Sequence, residues 1–207
     1  MIQKATMFSV IMINACLYAA DNDNMPPIIP FKTSRDAVAV ARMIELDYDH
    51  IVGLGDSLKE RNRHIGVLLE RYAKSEMNQN SSCKQLVMRE DEKTVGFVDF
   101  MFSPPLTRFG VPRGNIIVLA VDQEYRGKSY GAHLCNHACT VLQNRGAHRI
   151  KLMTTTEEVW RHFYKHLGFK PNGSMGKFNP TYFYYKELVP PRSWATIARL
   201  VVNSVIK

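Results

Sequence analysis

"VDQEYRGKSYGAHL", residues 121–134, decides how this chain folds. Inside it, Gly127-Lys128-Ser129 looks like the end of a nucleotide-binding P-loop. That loop needs G-x-x-x-x-G-K-[ST], because glycines let the backbone N–H groups close around phosphates. Counting back five residues from Gly127 reaches Asp122, a carboxylate where the pattern demands glycine. No other apolar strand ends in an aspartate suited to hold magnesium. The nucleotide reading therefore fails, and two remain: a phosphate cradle of another kind, or a plain basic helix start.

The flanks favour an anion site. "NIIVLAV" (115–121) is a continuous apolar run, the pattern of a buried central strand. A helix is predicted from about Gly127 to Asn144, ended by Arg145-Gly146. A helix N-terminus leaves N–H groups unpaired and carries the positive end of the helix dipole. Arg126 and Lys128 add positive charge, while Gly127 and Gly131 let a ligand approach the backbone closely. One diphosphate fits this pattern without a metal.

Working outward, "IIPFKT" (28–33) reads as a short strand and is followed by a helix to about Ile51, capped by Ser34 or Asp36. Gly53 and Gly55 break it. Ser57 to about Met77 reads as a second helix, with Ile65, Leu68, Leu69 and Tyr72 on its apolar stripe. "KQLVMRE" (84–90) and "KTVGFVDFMF" (93–102) read as strands joined by a turn at Asp91-Glu92. The prolines and glycines of 103–114 predict a loop. "RIKLMTT" (149–155) reads as a strand, 157–169 as a helix ending at Gly168, and 181–189 as a last strand. The order predicts an α/β fold, a mixed sheet with helices on both faces.

"VDQEYRGKSYGAHL" resembles the acetyl-CoA loop of the GNAT superfamily of N-acetyltransferases, whose pattern is Gln/Arg-x-x-Gly-x-Gly/Ala. Arg126 takes the first position and Gly131 the last; Ser129 stands where the middle glycine usually does. "IKLMTTTEEVWRHFYKHLGFKP" (150–171) resembles the family's later half: strand, helix, then Phe-Tyr-x-x-x-Gly-Phe, matched by Phe163, Tyr164, Gly168 and Phe169. The resemblance covers about residues 28–189 and implies a GNAT-like, mostly antiparallel central sheet.

The chemistry follows from the resemblance as a set of expectations. Backbone at Leu119 and Val121 would hold the pantetheine arm and polarise the acetyl carbonyl. The loop, with Arg126, Gly127, Lys128, Ser129, Gly131 and Ala132, would hold the diphosphate. Tyr164 would be the acid that protonates the leaving thiolate; its alternative is an aromatic packing residue. The co-substrate would be acetyl-CoA and the acceptor a primary amine of a small molecule or protein, with no metal. A non-catalytic GNAT-like module that binds CoA or a partner is the rival reading. A dedicated base is not evident: Asp99 and Asp122 are candidates, Asp122 also as a turn cap and Asp99 also as a solvent-facing residue. Glu157 replaces an asparagine the family often has, and its i, i+4 spacing to Arg161 fits a helix-surface ion pair.

Composition bounds the rest. The 207 residues fit one domain with extensions, and 45% hydrophobic residues suffice for a core. The net charge of +8 is scattered, with no run of five or six, so nucleic-acid binding is not expected. None of the four cysteines forms a CxxC, and His133/His137 and His162/His166 lack a third metal ligand. The apolar run Met7–Ala20 is short of the about 20 residues a membrane span needs. Residues 1–24 read as a signal peptide, an N-terminal extension or codons upstream of a true start at Met25. The resemblance implies a transferase domain over residues 25–189, and 190–207 read as an apolar C-terminal helix that would dock on the body, a partner or a membrane surface. No transmembrane span is expected, and a homodimer is compatible with the pattern. A cytoplasmic location is expected, with export as the alternative.

Overall fold

The computed structural model describes residues 25–48, 57–78, 81–105, 111–176 and 181–188. The terminal segments 1–24 and 190–207, and the break at Gly53 and Gly55, lie outside these residues.

The elements are β1 (Ile28–Pro30), α1 (Thr33–Leu46), α2 (Leu58–Met77), β2 (Cys83–Glu90), β3 (Lys93–Ser103) and β4 (Arg113–Val121). A 3₁₀ turn (Gln123–Tyr125), α3 (Tyr130–Asn144) and β5 (Arg149–Thr154) follow. Next comes α4, one α turn (Glu157–Val159) continuing as a π-helical stretch (Trp160–Tyr164), then β6 (Lys170–Met175) and β7 (Thr181–Glu187). Among the described residues they make one sheet in the order β1-β2-β3-β4-β5-β7-β6. Every pairing is antiparallel except β4 with β5.

Local chemistry explains the helix starts. Ser57 accepts from the Glu60 N–H at 3.3 Å and its own N–H donates to Glu60 Oε2 at 2.8 Å, a capping box that fixes α2. For α1 the expected cap is corrected. The N-cap is Lys32, which supplies no side-chain cap. Asp36 instead reaches back to the Lys32 N–H at 2.8 Å and is clasped by Arg35 and Thr94. Among the described residues α1 ends at Leu46, short of the expected Ile51.

Two apolar layers sandwich the sheet. Val40, Met43 and Ile44 of α1 and Ile65 and Tyr72 of α2 pack with Phe31, Val87 and Phe97 on one face. Leu134, Cys135, Ala138 and Leu142 of α3 pack with Val98, Phe100 and Ile150 on the other. Cys135 and Cys139 are buried free thiols in that second layer. Three further expectations are corrected. The predicted helix 157–169 ends at Tyr164, with 165–168 forming a turn. An extra strand, β6, follows it; "KPNGSM" carries Pro171 and Gly173, is exposed throughout, and slips register against β7 between Pro171 and Ser174, which an edge strand tolerates. The loop 103–114 is also shorter than expected, because β4 begins at Arg113.

One irregularity positions the site. Asp99 and Phe100 of β3 face Val118 and Ile116 of β4, so Ile117 is an extra residue. Ile116 packs on the α3 side, whereas Ile117 and Val118 both pack on the α1–α2 side. Leu119 and Val121 then return to the α3 side. A bulge bends its strand and tightens the twist. β4 accordingly pairs with β5 only over Arg113–Asn115 against Arg149–Lys151, and the two strands part beyond that point.

Candidate active site

The parted strands enclose a cleft of about 290 Å³. Ile116–Leu119 and Val121 form one wall and Leu152–Thr154 the other. Phe163 and Tyr164 of α4 line it, and the turn from Gln123 into α3 forms its mouth. Of the residues singled out from sequence, Leu119, Val121, Arg126, Gly127, Ser129, Gly131, Ala132 and Tyr164 all face this cleft. Lys128 does not join them.

The mouth is shaped by two left-handed residues. Gly127 has φ 83° and Ser129 φ 62°, and α3 begins one residue later, at Tyr130 rather than Gly127. Alternating backbone handedness turns successive N–H groups toward one concave point, a natural anion nest. Ser129 occupies the N-cap position but its side chain makes no capping bond, so the first-turn N–H groups keep their capacity to donate. The two glycines serve different ends. A Cβ at Gly127 would meet nothing, so that position needs glycine for its dihedral. A Cβ at Gly131 would lie 3.3 Å from Phe163 Cζ and 3.6 Å from Val121 Cγ2, so that position needs glycine for close packing of α3 on the cleft.

The charges expected to serve the loop are engaged elsewhere. Arg126 clasps Asp47 through Nη2, at 2.8 and 2.7 Å to the two carboxylate oxygens, and its Nε donates to the Val121 carbonyl at 3.1 Å. Lys128 lies 3.6 Å from Glu90 and over the Tyr125 ring at 4.7 Å, and the Tyr130 hydroxyl donates to Glu90 at 2.6 Å. The loop is thus pinned by two carboxylates, one on each side.

Tyr164 is buried, edge-on to Phe163 at 4.9 Å and Phe169 at 5.6 Å. Burial, helped by the negative field of Cys135 and Asp47, pushes its hydroxyl well above the ordinary tyrosine range. It stays protonated at neutral pH, and the same burial makes it a reluctant acid that gives its proton only to a strongly basic group formed beside it.

Neither carboxylate weighed as a base faces the cleft. Asp99 is fully buried, not solvent-facing. It points to the α2 layer, where Arg71 and Gln85 Nε2 (2.9 Å) donate to it. Burial there lifts its pKa above the usual carboxylate range despite Arg71. Asp122 caps the 3₁₀ turn by accepting the Glu124 N–H at 3.2 Å. Glu157 pairs with Arg161 at 3.0 Å on the helix surface, as its spacing predicts. Two carboxylates not expected from the sequence, Asp47 and Glu158, also line the cleft, together with His162, which the sequence offers only as half of a metal-spaced pair. The i, i+4 spacing of Glu158 and His162 was legible in the sequence. Asp47, 79 positions from its arginine, left no such mark. Among the described residues no group of three or more His, Cys, Asp or Glu side chains could hold a metal ion. Nor is any described helix long and apolar enough to cross a membrane.

Comparisons with known proteins point one way. Over 58 residues the chain is 41% identical to N-alpha-acetyltransferase 30 of Schizosaccharomyces pombe; the match spans 28% of this chain and 39% of that protein. The structure resembles the PaiA N-acetyltransferase of Thermoplasma acidophilum in complex with coenzyme A (TM-score 0.61, 17% identity, 78% of this chain and 98% of that one). It also resembles the NatC complex bound to Gag peptide and CoA (TM-score 0.58, 19% identity, 80% of this chain and 99% of that one). Identities this low speak for the fold alone. A family model described as Acetyltransferase (GNAT) family matches residues 55–169, more than half of the chain and the whole span from α2 to the cleft-lining α4. With that match, and the parted β4–β5 pair at its centre, the chain belongs to the GNAT family of acetyltransferases.

Proposed function

We propose that this protein is an N-acetyltransferase that moves the acetyl group of acetyl-CoA to a primary amine. The observation that carries the reading is the divergence of β4 from β5, with the uncapped first turn of α3 at the mouth of the gap. The cleft's apolar walls suit an acyl chain and its thioester. The nest of N–H groups from Gly127 to Ala132 suits a diphosphate just outside. The free backbone edge of β4 beyond Asn115 offers N–H donors, around Leu119 and Val121, to a thioester carbonyl. The cofactor seen with the structural neighbours, and the name of the Schizosaccharomyces relative, support the same reading.

The reaction then needs two proton movements. The acceptor nitrogen attacks only when neutral, forms the N–C bond and sheds a proton as the C–S bond breaks. Glu158 and His162, one turn apart and both lining the cleft, are the side chains that would take that proton, directly or through water. Tyr164 gives its hydroxyl proton to the departing thiolate. An assay of free CoA release from acetyl-CoA, run over small polyamines, aminoglycosides and peptides with free N-termini, tests the proposal. CoA release that depends on one amine class and falls with Tyr164→Phe supports it. Saturable CoA binding with no acetyl transfer to any class would instead favour a binding module.

A further inference from the structure

We infer that Arg126, the residue that opens the phosphate-loop motif, is a positioning residue whose partner is Asp47 rather than the diphosphate. This rests on the acetyl-CoA reading above. The guanidinium is held from three directions: both carboxylate oxygens of Asp47 and the carbonyl of Val121. A side chain so held cannot turn to a phosphate without giving up the ion pair that Nη2 makes with both carboxylate oxygens. The pair is sheltered, with the two side chains only 27% and 19% exposed.

Asp47 is also placed against ordinary helix electrostatics. It is the C-cap residue of α1, its N–H bonded back to the Met43 carbonyl, so its carboxylate sits beside the negative end of the helix dipole. A carboxylate there is stabilised by a cation brought to it, and Arg126 is that cation. The pair crosses the molecule. α1 belongs to one layer and the loop into α3 to the other, and both residues line the cleft at the point where β4 ends. Arg126 thereby ties the end of β4 and the first N–H groups of the nest to the opposite helical layer. The nest is held in its binding shape before any anion arrives. Diphosphate recognition is left to backbone donors, and the charge in the cleft mouth is nearly balanced.

The two roles predict opposite signs for one substitution. If Arg126 were a phosphate ligand restrained by Asp47, Asp47→Asn would free it, remove a repelling carboxylate and tighten CoA. As a positioning pair, Asp47→Asn and Arg126→Gln each weaken CoA by about tenfold. The double variant is then no weaker than either single one, because both remove the same tie. Calorimetric titration of the 207-residue chain with CoA reads all three, and thermal melts of the same samples report on folding. KM for acetyl-CoA should rise while kcat changes less, a split that general loss of structure does not produce. The exchanged pair Asp47→Arg/Arg126→Asp should recover part of the affinity. Tighter binding by Asp47→Asn, or additive losses in the double variant, overturns the inference while leaving the acetyl-CoA reading intact. Failure of the unaltered protein to bind CoA overturns both.

Discussion

Ser129 carries a conformation that its side chain opposes, so replacing it by glycine should make the protein more stable. Its φ of 62° and ψ of 8° place it in the left-handed region, where an L-residue loses about 1–2 kcal/mol through the clash of Cβ with the following carbonyl. Glycine escapes that clash but gives up about 0.5–1 kcal/mol in chain entropy. No capping bond is lost, since the Ser129 side chain makes none. The net gain is about 0.5–1 kcal/mol. For a chain of this length that raises Tm by about 1–4 °C. Ser129→Ala keeps the strain and should leave Tm nearly unchanged. Ser129→Val adds a β-branch to a left-handed position and should lower it. Calorimetry on the three variants gives the ranking, and steady-state kinetics should show no rise in KM for acetyl-CoA with glycine. A Tm for Ser129→Gly below that of the unaltered protein would mean instead that the hydroxyl stabilises the loop and that the left-handed conformation carries no net strain.

Further outcomes follow from the same geometry. Tyr164→Phe should lower kcat by about 10²-fold with little change in KM, since it removes only the donated proton. Because burial holds the Tyr164 pKa far above neutrality, a pH–rate profile from about pH 6 to 9 should show no falling limb that this variant abolishes. Gly131→Ala puts a Cβ 3.3 Å from Phe163, which must shift by a few tenths of an ångström. That crowding costs about 1 kcal/mol but is offset by about 0.5–1 kcal/mol of helix propensity gained inside α3, so Tm should change little while KM for acetyl-CoA rises more than kcat falls. Burial works to raise the Asp36 pKa, but Arg35, the Lys32 N–H and Thr94 outweigh it and hold the carboxyl below its usual range. A depressed folded-state pKa contributes stability that is present above the unfolded value, near 4, and is lost as pH falls through the folded one. Asp36→Asn should therefore destabilise by about 1–3 kcal/mol at pH 7 and flatten the acid side of the urea-unfolding profile.

The strand, turn and helix around "RGKSYG" were legible because each rests on local chemistry: an apolar run, a glycine pair, a helix of apolar spacing. The β4 bulge was not. Ile116, Ile117 and Val118 are all apolar β-formers, and nothing in them says which face each takes. Yet that one extra residue opens the cleft. "KPNGSM" escaped notice for the opposite reason, since an exposed edge strand needs neither alternation nor freedom from proline. Asp99 interrupts the apolar run of β3 between Val98 and Phe100 and reads as a break toward solvent. Its burial depends on Arg71 and Gln85, which come from α2 and β2. Asp47 shows the same limit most plainly: its role exists only because the fold brings α1 to the loop.

Amide hydrogen exchange with and without acetyl-CoA tests the central claim most directly. Exchange should slow at residues 127–132, where N–H groups would take the diphosphate, and along 116–121, the unpaired side of β4. β6 and the outer surface of α2 should be unchanged. Protection that falls elsewhere, or none at a concentration that saturates catalysis, would contradict the assignment of the β4–β5 cleft as the acetyl-CoA site.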